Sequence, residues 1–302
     1  MKTSLTLGGI ILGLTAAVTL MLLSFLAPSM NSGPDGIPVA VSAPDPVVAK
    51  LSATADVTTY DDPSDARQAV LDRDAVGAVT VGPDGATVYT ASGAGQPYTQ
   101  VLTGIADGMD ATVEDVAPTT QDDPNAGGLN ALALPLAFGG MVSAAVLSMT
   151  MKDRRLLRVL GSAGFSVAAG LAVGAVLQFG FGTFDGNYWE TAAVLALGVA
   201  GTSLFVLGLE ALLGVPGLAV GAVLTLFVSN PLSGIATGWQ WLPSPWGAVG
   251  QYMPIGAAGN ATRSVAFFDG AGMAHSVWVL VAWVAVGVAL VGASALRGRR
   301  GA

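Results

Sequence analysis

The chain has 302 residues, 52% of them hydrophobic and only 11% charged, with a formal net charge of −8 and no cysteine. So low a charge content excludes an ordinary soluble surface, and the acidic balance argues against a nucleic-acid partner. The missing cysteine rules out disulfide support and any metal or thiol chemistry through sulfur.

The first element is an apolar run from Leu5 to Leu26. About twenty uncharged residues at about 1.5 Å per residue cross a hydrocarbon slab about 30 Å thick. The run exceeds the usual length of a signal-peptide core, and the segment before it is only Met-Lys-Thr-Ser, so residues 1–27 read as an uncleaved anchor.

Residues 28–128 hold fifteen acidic side chains against Lys50, Arg67 and Arg73. After a linker at Pro28–Gly36, Ile37-Pro-Val-Ala-Val-Ser predicts a strand, Pro46–Ser52 a short helix and Asp56-Val-Thr-Thr-Tyr a second strand. Asp62 begins a helix with Pro63 at its first position and Ala66, Ala69 and Val70 as its apolar stripe. Ala75–Val81 predicts a buried strand, Gly82-Pro-Asp-Gly a turn and Ala86–Thr90 its returning partner. A helix over Gln96–Met109 and a strand at Val113-Glu-Asp-Val complete a small α/β unit. Its acidic pairs lack the spacing of a calcium loop, and a solvated acidic surface is the plainer reading.

Residues 129–302 predict a membrane domain with helices at about 129–151, 159–183, 190–209, 215–228 and 274–296, giving six crossings with the first. Between the fifth and the sixth, Pro231, Pro243, Pro245 and Pro254 forbid one continuous helix. The expected form is a re-entrant hairpin over about 231–268, made of short helices at 231–242 and 255–268 dipping in from outside.

Orientation follows from charge, because short cytoplasmic loops collect Lys and Arg. Lys2, the group Lys152, Arg154, Arg155 and Arg158, and the group Arg297, Arg299 and Arg300 fall on one side in a six-crossing scheme. Both termini are then cytoplasmic and 28–128 faces outward from the cell membrane.

Single residues invite local roles. Gly170 with Gly174, and Gly217 with Gly221, strip side chains from helix faces for close packing, within the chain or at a dimer seam. Trp239, Trp241, Trp246 and Tyr252 suit the headgroup level. Arg263 invites a substrate-contact reading, against the plainer ones of an interfacial anchor or a partner of Asp269. Glu190 is expected to cap the fourth helix, Glu210 to lie at its cytoplasmic end, and His275 to be an interfacial residue. Asn260-Ala-Thr is a formal glycosylation sequon set close to the bilayer.

Asn230-Pro-Leu-Ser-Gly, Leu242-Pro-x-Pro-Trp, Met253-Pro-Ile-Gly-Ala-Ala, Arg263 and Phe268-Asp-Gly resemble the last third of type-2 ABC exporter permeases, particularly the branch that includes the phage-infection protein. The opening is similar too, with Ile37-Pro-Val-Ala-Val and Ala75-Val-Gly-Ala-Val-Thr-Val in an outer domain between the first two crossings. The resemblance implies six helices per half, a homodimer or paired half, and a separate cytoplasmic ATPase subunit, with no bound cofactor. It makes the hairpin an exit gate for a hydrophobic or amphipathic substrate, with Arg263, Asp269, Trp241, Trp246 and Tyr252 along the path. The chain departs from the pattern in its short 152–158 loop, and it has no Gly-x-x-x-x-Gly-Lys-[Ser/Thr], so ATP would be hydrolysed by another chain. One histidine, no His-Glu-x-x-His and no Gly-x-Ser-x-Gly argue against an enzyme. The rival reading is a non-transporting scaffold or receptor whose outer domain binds a surface partner.

Overall fold

A computed structural model of the chain describes residues 2–300 other than Asp35, Asp84 and Asp153, with the side chains of residues 6–296. The side chains of Lys2, Arg297, Arg299 and Arg300, together with Asp84 of the expected turn, therefore lie outside the described residues.

Helix α1 (Lys2–Met30) continues through Pro28, where the sequence suggests a linker. A five-stranded sheet follows, of order β2-β1-β3-β4-β5. Its strands are β1 (Ile37–Ser42), β2 (Ala55–Thr59), β3 (Gly77–Gly82), β4 (Gly85–Thr90) and β5 (Thr112–Asp115). The β3–β4 hairpin is antiparallel, and the β1–β2, β1–β3 and β4–β5 pairs are parallel. Helices α2 (Asp45–Leu51), α3 (Pro63–Leu71) and α4 (Gln96–Asp107) provide the crossovers that parallel pairs require.

Alternation along β1 divides the domain core in two. Val39 and Val41 join Val79, Val88, Tyr98 and Leu102 beneath α4, while Ala40 and Ala78 join Ala66, Ala69 and Val70 beneath α3. Gly77 permits the tighter packing, since a Cβ there would meet Leu102 Cδ1 at 2.1 Å. Helix α3 starts where expected, with Asp62 accepting a hydrogen bond from Ser64 N at 2.8 Å.

The remaining helices are α5 (Gly127–Ala131), α6 (Ala133–Thr150), α7 (Arg155–Ala175), α8 (Tyr188–Leu213), α9 (Val215–Val223), α10 (Trp246–Gln251), α11 (Pro254–Phe267) and α12 (Ala274–Arg300). Among the described residues, five helical segments are long and apolar enough to cross a membrane: Thr6–Met30, Gly127–Thr150, Arg155–Gly180, Tyr188–Leu213 and Ala274–Leu296. The segment expected as the fifth of six crossings, Val215–Ser229, is shorter, and its second half is π-helical. Helix α8 is the most buried of the five and packs against α6, α7, α9, α11 and α12. Inside the bundle, Ser203 Oγ lies 2.9 Å from Ser143 Oγ and 2.7 Å from Ser162 Oγ, so hydroxyls join α6, α7 and α8.

Two expectations need correction, and two other groups now have defined partners. Residues 231–242 form turns and one 3-10 turn, Trp239–Trp241, in place of a helix. Gly234 (φ 63°) and Gly238 (φ 87°) reverse the chain there, and a Cβ on Gly234 would fall 2.6 Å from Trp239 Cα. The glycine faces are filled within the chain and are not free for a dimer seam. Gly170 approaches Ala192 and Ala196 of α8, and Gly217 and Gly221 approach Leu209 and Val206 of the same helix. Asn187, not Glu190, caps α8, accepting from Trp189 N at 3.0 Å, and its amide donates to Glu190 Oε1. Glu210 faces inward and pairs with Arg158 at 2.7 Å. Arg158 also donates to Met151 O and Lys152 O, so it ties the ends of α6, α7 and α8 together.

Candidate functional site

The α/β domain rests on the segment 231–268, the expected hairpin, and two arginines reach across in opposite directions. Arg73 follows the end of α3 in a left-handed conformation (φ 68°). Its guanidinium donates to Asn260 Oδ1 at 2.6 Å, to Asn260 O at 3.2 Å and to Ser264 Oγ, all on α11. From α11, Arg263 donates to Gly93 O of the α/β domain and to Ile235 O of the hairpin, both at 2.6 Å, and is 4% exposed. Each unit thus places one guanidinium on acceptors of the other. Such charge-assisted bonds to neutral groups are stronger than neutral pairs, and among the described residues neither cation has a carboxylate partner.

Close backbone approach makes this possible. A Cβ on Gly93 would lie 2.5 Å from Phe267 Cβ, and one on Gly238 would lie 2.3 Å from the Tyr98 ring. Tyr98 is 1% exposed. Its hydroxyl donates to Gln240 Oε1 at 3.1 Å and accepts from Trp241 N at 3.0 Å. The Tyr98 and Trp241 rings meet edge to face, with centroids 5.7 Å apart. Burial pushes the Tyr98 phenol up, so it stays a donor at neutral pH. Burial, assisted by the Arg263 charge, pushes the Arg73 guanidinium down to about 9, which still leaves it charged.

Beside this contact is a small space of about 20 Å³, lined by Arg73, Tyr98, Gln251 and Arg263 among others. A cleft of about 380 Å³ adjoins it, sharing Arg73, Trp239, Gln240, Gln251 and Asn260, with Asp72, Asp74, Tyr252 and His275 also on its walls. A third space, about 510 Å³ and mostly apolar, separates the C-terminal end of α1 from Phe227, Leu232 and Trp246.

The residues singled out in the sequence are dispersed among these spaces. Arg263 and Trp241 belong to the domain contact, and Tyr252 stands at the open cleft with its ring 4.9 Å from that of His275. Trp246 lies on the other side of the hairpin, facing the space beside α1. The expected Arg263–Asp269 pair is not formed: Arg263 bonds to carbonyls, and Asp269 occupies a left-handed turn position (φ 49°). Asn260 of the sequon is engaged on both sides of its amide, accepting from Arg73 and donating to Ser276 Oγ at 3.1 Å. Sequence reasoning missed Arg73 and Tyr98 as partners of the hairpin, and Gln251 and Asn260 as the polar residues within it. The one available signal was that Arg73 is among only three basic residues in the acidic segment.

Among the described residues no group of three or more His, Asp or Glu side chains is placed to hold a metal ion. The fold defines a mostly helical protein with five helices of membrane-crossing character and a small mixed sheet. No family model, curated protein or solved structure matches the chain.

Proposed function

We propose that the chain is a permease-like transmembrane subunit of an ABC-type exporter, moving a hydrophobic or amphipathic substrate outward with ATP hydrolysed by a separate subunit. The observation that carries this reading is the order and contact of its parts. An α/β domain inserted after the first apolar helix is latched by Arg73 and Arg263 to a broken hairpin that immediately precedes the last helix. In the resembling permeases that hairpin is the outer gate.

The same reading takes Val215–Ser229 as a sixth, short crossing. In its favour, the segment starts beside the Arg158–Glu210 end of the bundle and delivers the chain to the hairpin under the outer domain. Both termini are then cytoplasmic, residues 28–128 extracytoplasmic and the hairpin re-entrant in the cell membrane. The exposed Trp189, Trp246, Tyr252 and Trp278 would mark the outer headgroup level. The partners are a second permease half, identical or not, and a cytoplasmic ATPase.

One observation favours the scaffold reading instead. Helix α8 fills the centre of the bundle, so a substrate path would have to run between two chains. The deciding experiment purifies the protein from its native membrane and measures vanadate-sensitive ATPase activity, alongside efflux of amphipathic dyes from cells with and without the gene. Co-purifying ATPase activity and gene-dependent efflux support the exporter. Absence of both replaces it with the scaffold.

A further inference from the structure

Arg73 and Arg263 line one small space of about 20 Å³ under the α/β domain. Its other walls include Ala94, Tyr98 and the 233–240 turns, and no carboxylate is among them. Neither arginine forms an ion pair among the described residues, and every acceptor they meet is neutral. Two like charges are thus buried close together at a place where proteins ordinarily supply an opposite one. Burial, and after it the Arg263 charge, lower the Arg73 pKa to about 9, so the repulsion is felt and yet leaves that group charged at neutral pH.

The guanidiniums also keep donors in reserve, since each carries five N–H groups. Arg73 spends three at most: Nη1 donates to Asn260 O and Ser264 Oγ, and Nη2 to Asn260 Oδ1. Arg263 spends two, one from each terminal nitrogen, on Gly93 O and Ile235 O. Among the described residues, the Nε–H of both arginines, a second N–H of Arg73 Nη2 and a second N–H on each terminal nitrogen of Arg263 have no protein acceptor. Space limits what can accept from them. About 10–15 Å³ of such volume holds one water-sized particle, so about 20 Å³ admits a single small ion and excludes phosphate, sulfate or an organic acid. The wider cleft of about 380 Å³ shares Arg73, Trp239, Gln240 and Asn260 with this space and supplies its entrance.

We propose that one chloride ion binds between Arg73 and Arg263 and pins the α/β domain to the segment 231–268. The ion accepts unspent N–H groups from one guanidinium of each unit and offsets their mutual repulsion. It therefore joins by charge the same two parts that the bonds to Asn260, Gly93 and Ile235 join by geometry. A water molecule also fits the space, but it is neutral and leaves the repulsion in place. The inference concerns domain docking alone and stands whether or not the chain exports a substrate.

The test uses the full chain purified in detergent, with chloride exchanged for gluconate at constant ionic strength so that screening is unchanged. Gluconate is too large for the space. Hydrogen exchange of the amides around Gly93 and in the 233–241 turns reads docking. For a dissociation constant of about 1 mM, raising chloride from about 1 mM to about 100 mM should slow exchange there about fiftyfold and leave β1 and β3 unchanged. Bromide should replace chloride in this effect. Chloride NMR line broadening measures binding directly and should be competed by bromide and lost in Arg263→Met. Arg73→Gln, which removes the cation of the other unit, should lose it too, while protection of β1 and β3 shows that the domain is folded. Equal exchange in chloride and gluconate, a comparison that needs no variant, assigns the space to water and overturns the proposal. Broadening that survives both substitutions places the ion elsewhere and overturns it as well.

Discussion

Arg263→Met removes the guanidinium while retaining most of the side-chain volume, which isolates the latch from simple cavity formation. Gly93 O and Ile235 O each lose a donor at 2.6 Å. An orphaned buried acceptor costs about 1–3 kcal/mol, so the two together cost about 2–6 kcal/mol. Relief of the repulsion from Arg73 returns on the order of 1–2 kcal/mol at an effective dielectric near 20. The net weakening of domain docking is therefore about 1–4 kcal/mol, or roughly fivefold to nearly a thousandfold in local opening. Hydrogen exchange read by mass spectrometry would follow the amides around Gly93 and Gly95 and those of the 233–241 turns. These should exchange faster by that factor, while β1, β3 and the centre of α8 keep their protection. Asp269→Asn serves as the control and should change nothing, because Asp269 does not pair with Arg263. Unchanged exchange at the contact in Arg263→Met, or an equal effect from Asp269→Asn, would refute the latch.

Three further outcomes follow from geometry. Gly170→Ala forces a Cβ to 2.4 Å from Ala192 O and should destabilise the bundle by about 1–3 kcal/mol, whereas Gly174→Ala meets nothing closer than 3.5 Å and should be neutral or stabilising by up to about 1 kcal/mol. Thermal unfolding in detergent would rank them, and equal melting points would contradict the α7–α8 packing. Burial raises the Asp123 carboxyl, but the N–H groups of Gly128 and Gly127 and the Thr183 hydroxyl outweigh it and hold the group below its ordinary 3.8. A depressed folded-state value contributes stability that is present above the unfolded value and lost as pH falls through the folded one. Asp123→Asn should accordingly be less stable than the parent at about pH 6, and the gap should close below about pH 3; a constant gap across that range counts against these hydrogen bonds to the carboxylate. For topology, cysteine at the exposed Ser52 should react with an impermeant thiol reagent on intact cells, and cysteine at the exposed Lys152 should not. The reverse pattern inverts the orientation.

Much of the local structure was legible before any contact was known. The strands of the α/β domain, its three helices and the five long apolar helices all depend on nearest-neighbour information: period-two and period-3.6 patterning, Pro63 and Asp62 at a helix start, and runs of uncharged residues. Such signals persist whatever packs against them. The same holds for the break in the hairpin, where four prolines make a continuous helix impossible. Tertiary structure decided the partners. Closeness in sequence makes Asp269 one candidate partner for Arg263, beside an interfacial or substrate-contact role, but its donors are satisfied by carbonyls of Gly93, 170 positions away, and Ile235. Gly217 and Gly221 show small residues but not which helix they face, and α8 of the same chain fills that face. Arg73 and Gln251 carry no local pattern. Their significance arises only when the outer domain settles on the hairpin, because charge matching and hydrogen-bond satisfaction are set by distance in space and not by separation along the chain.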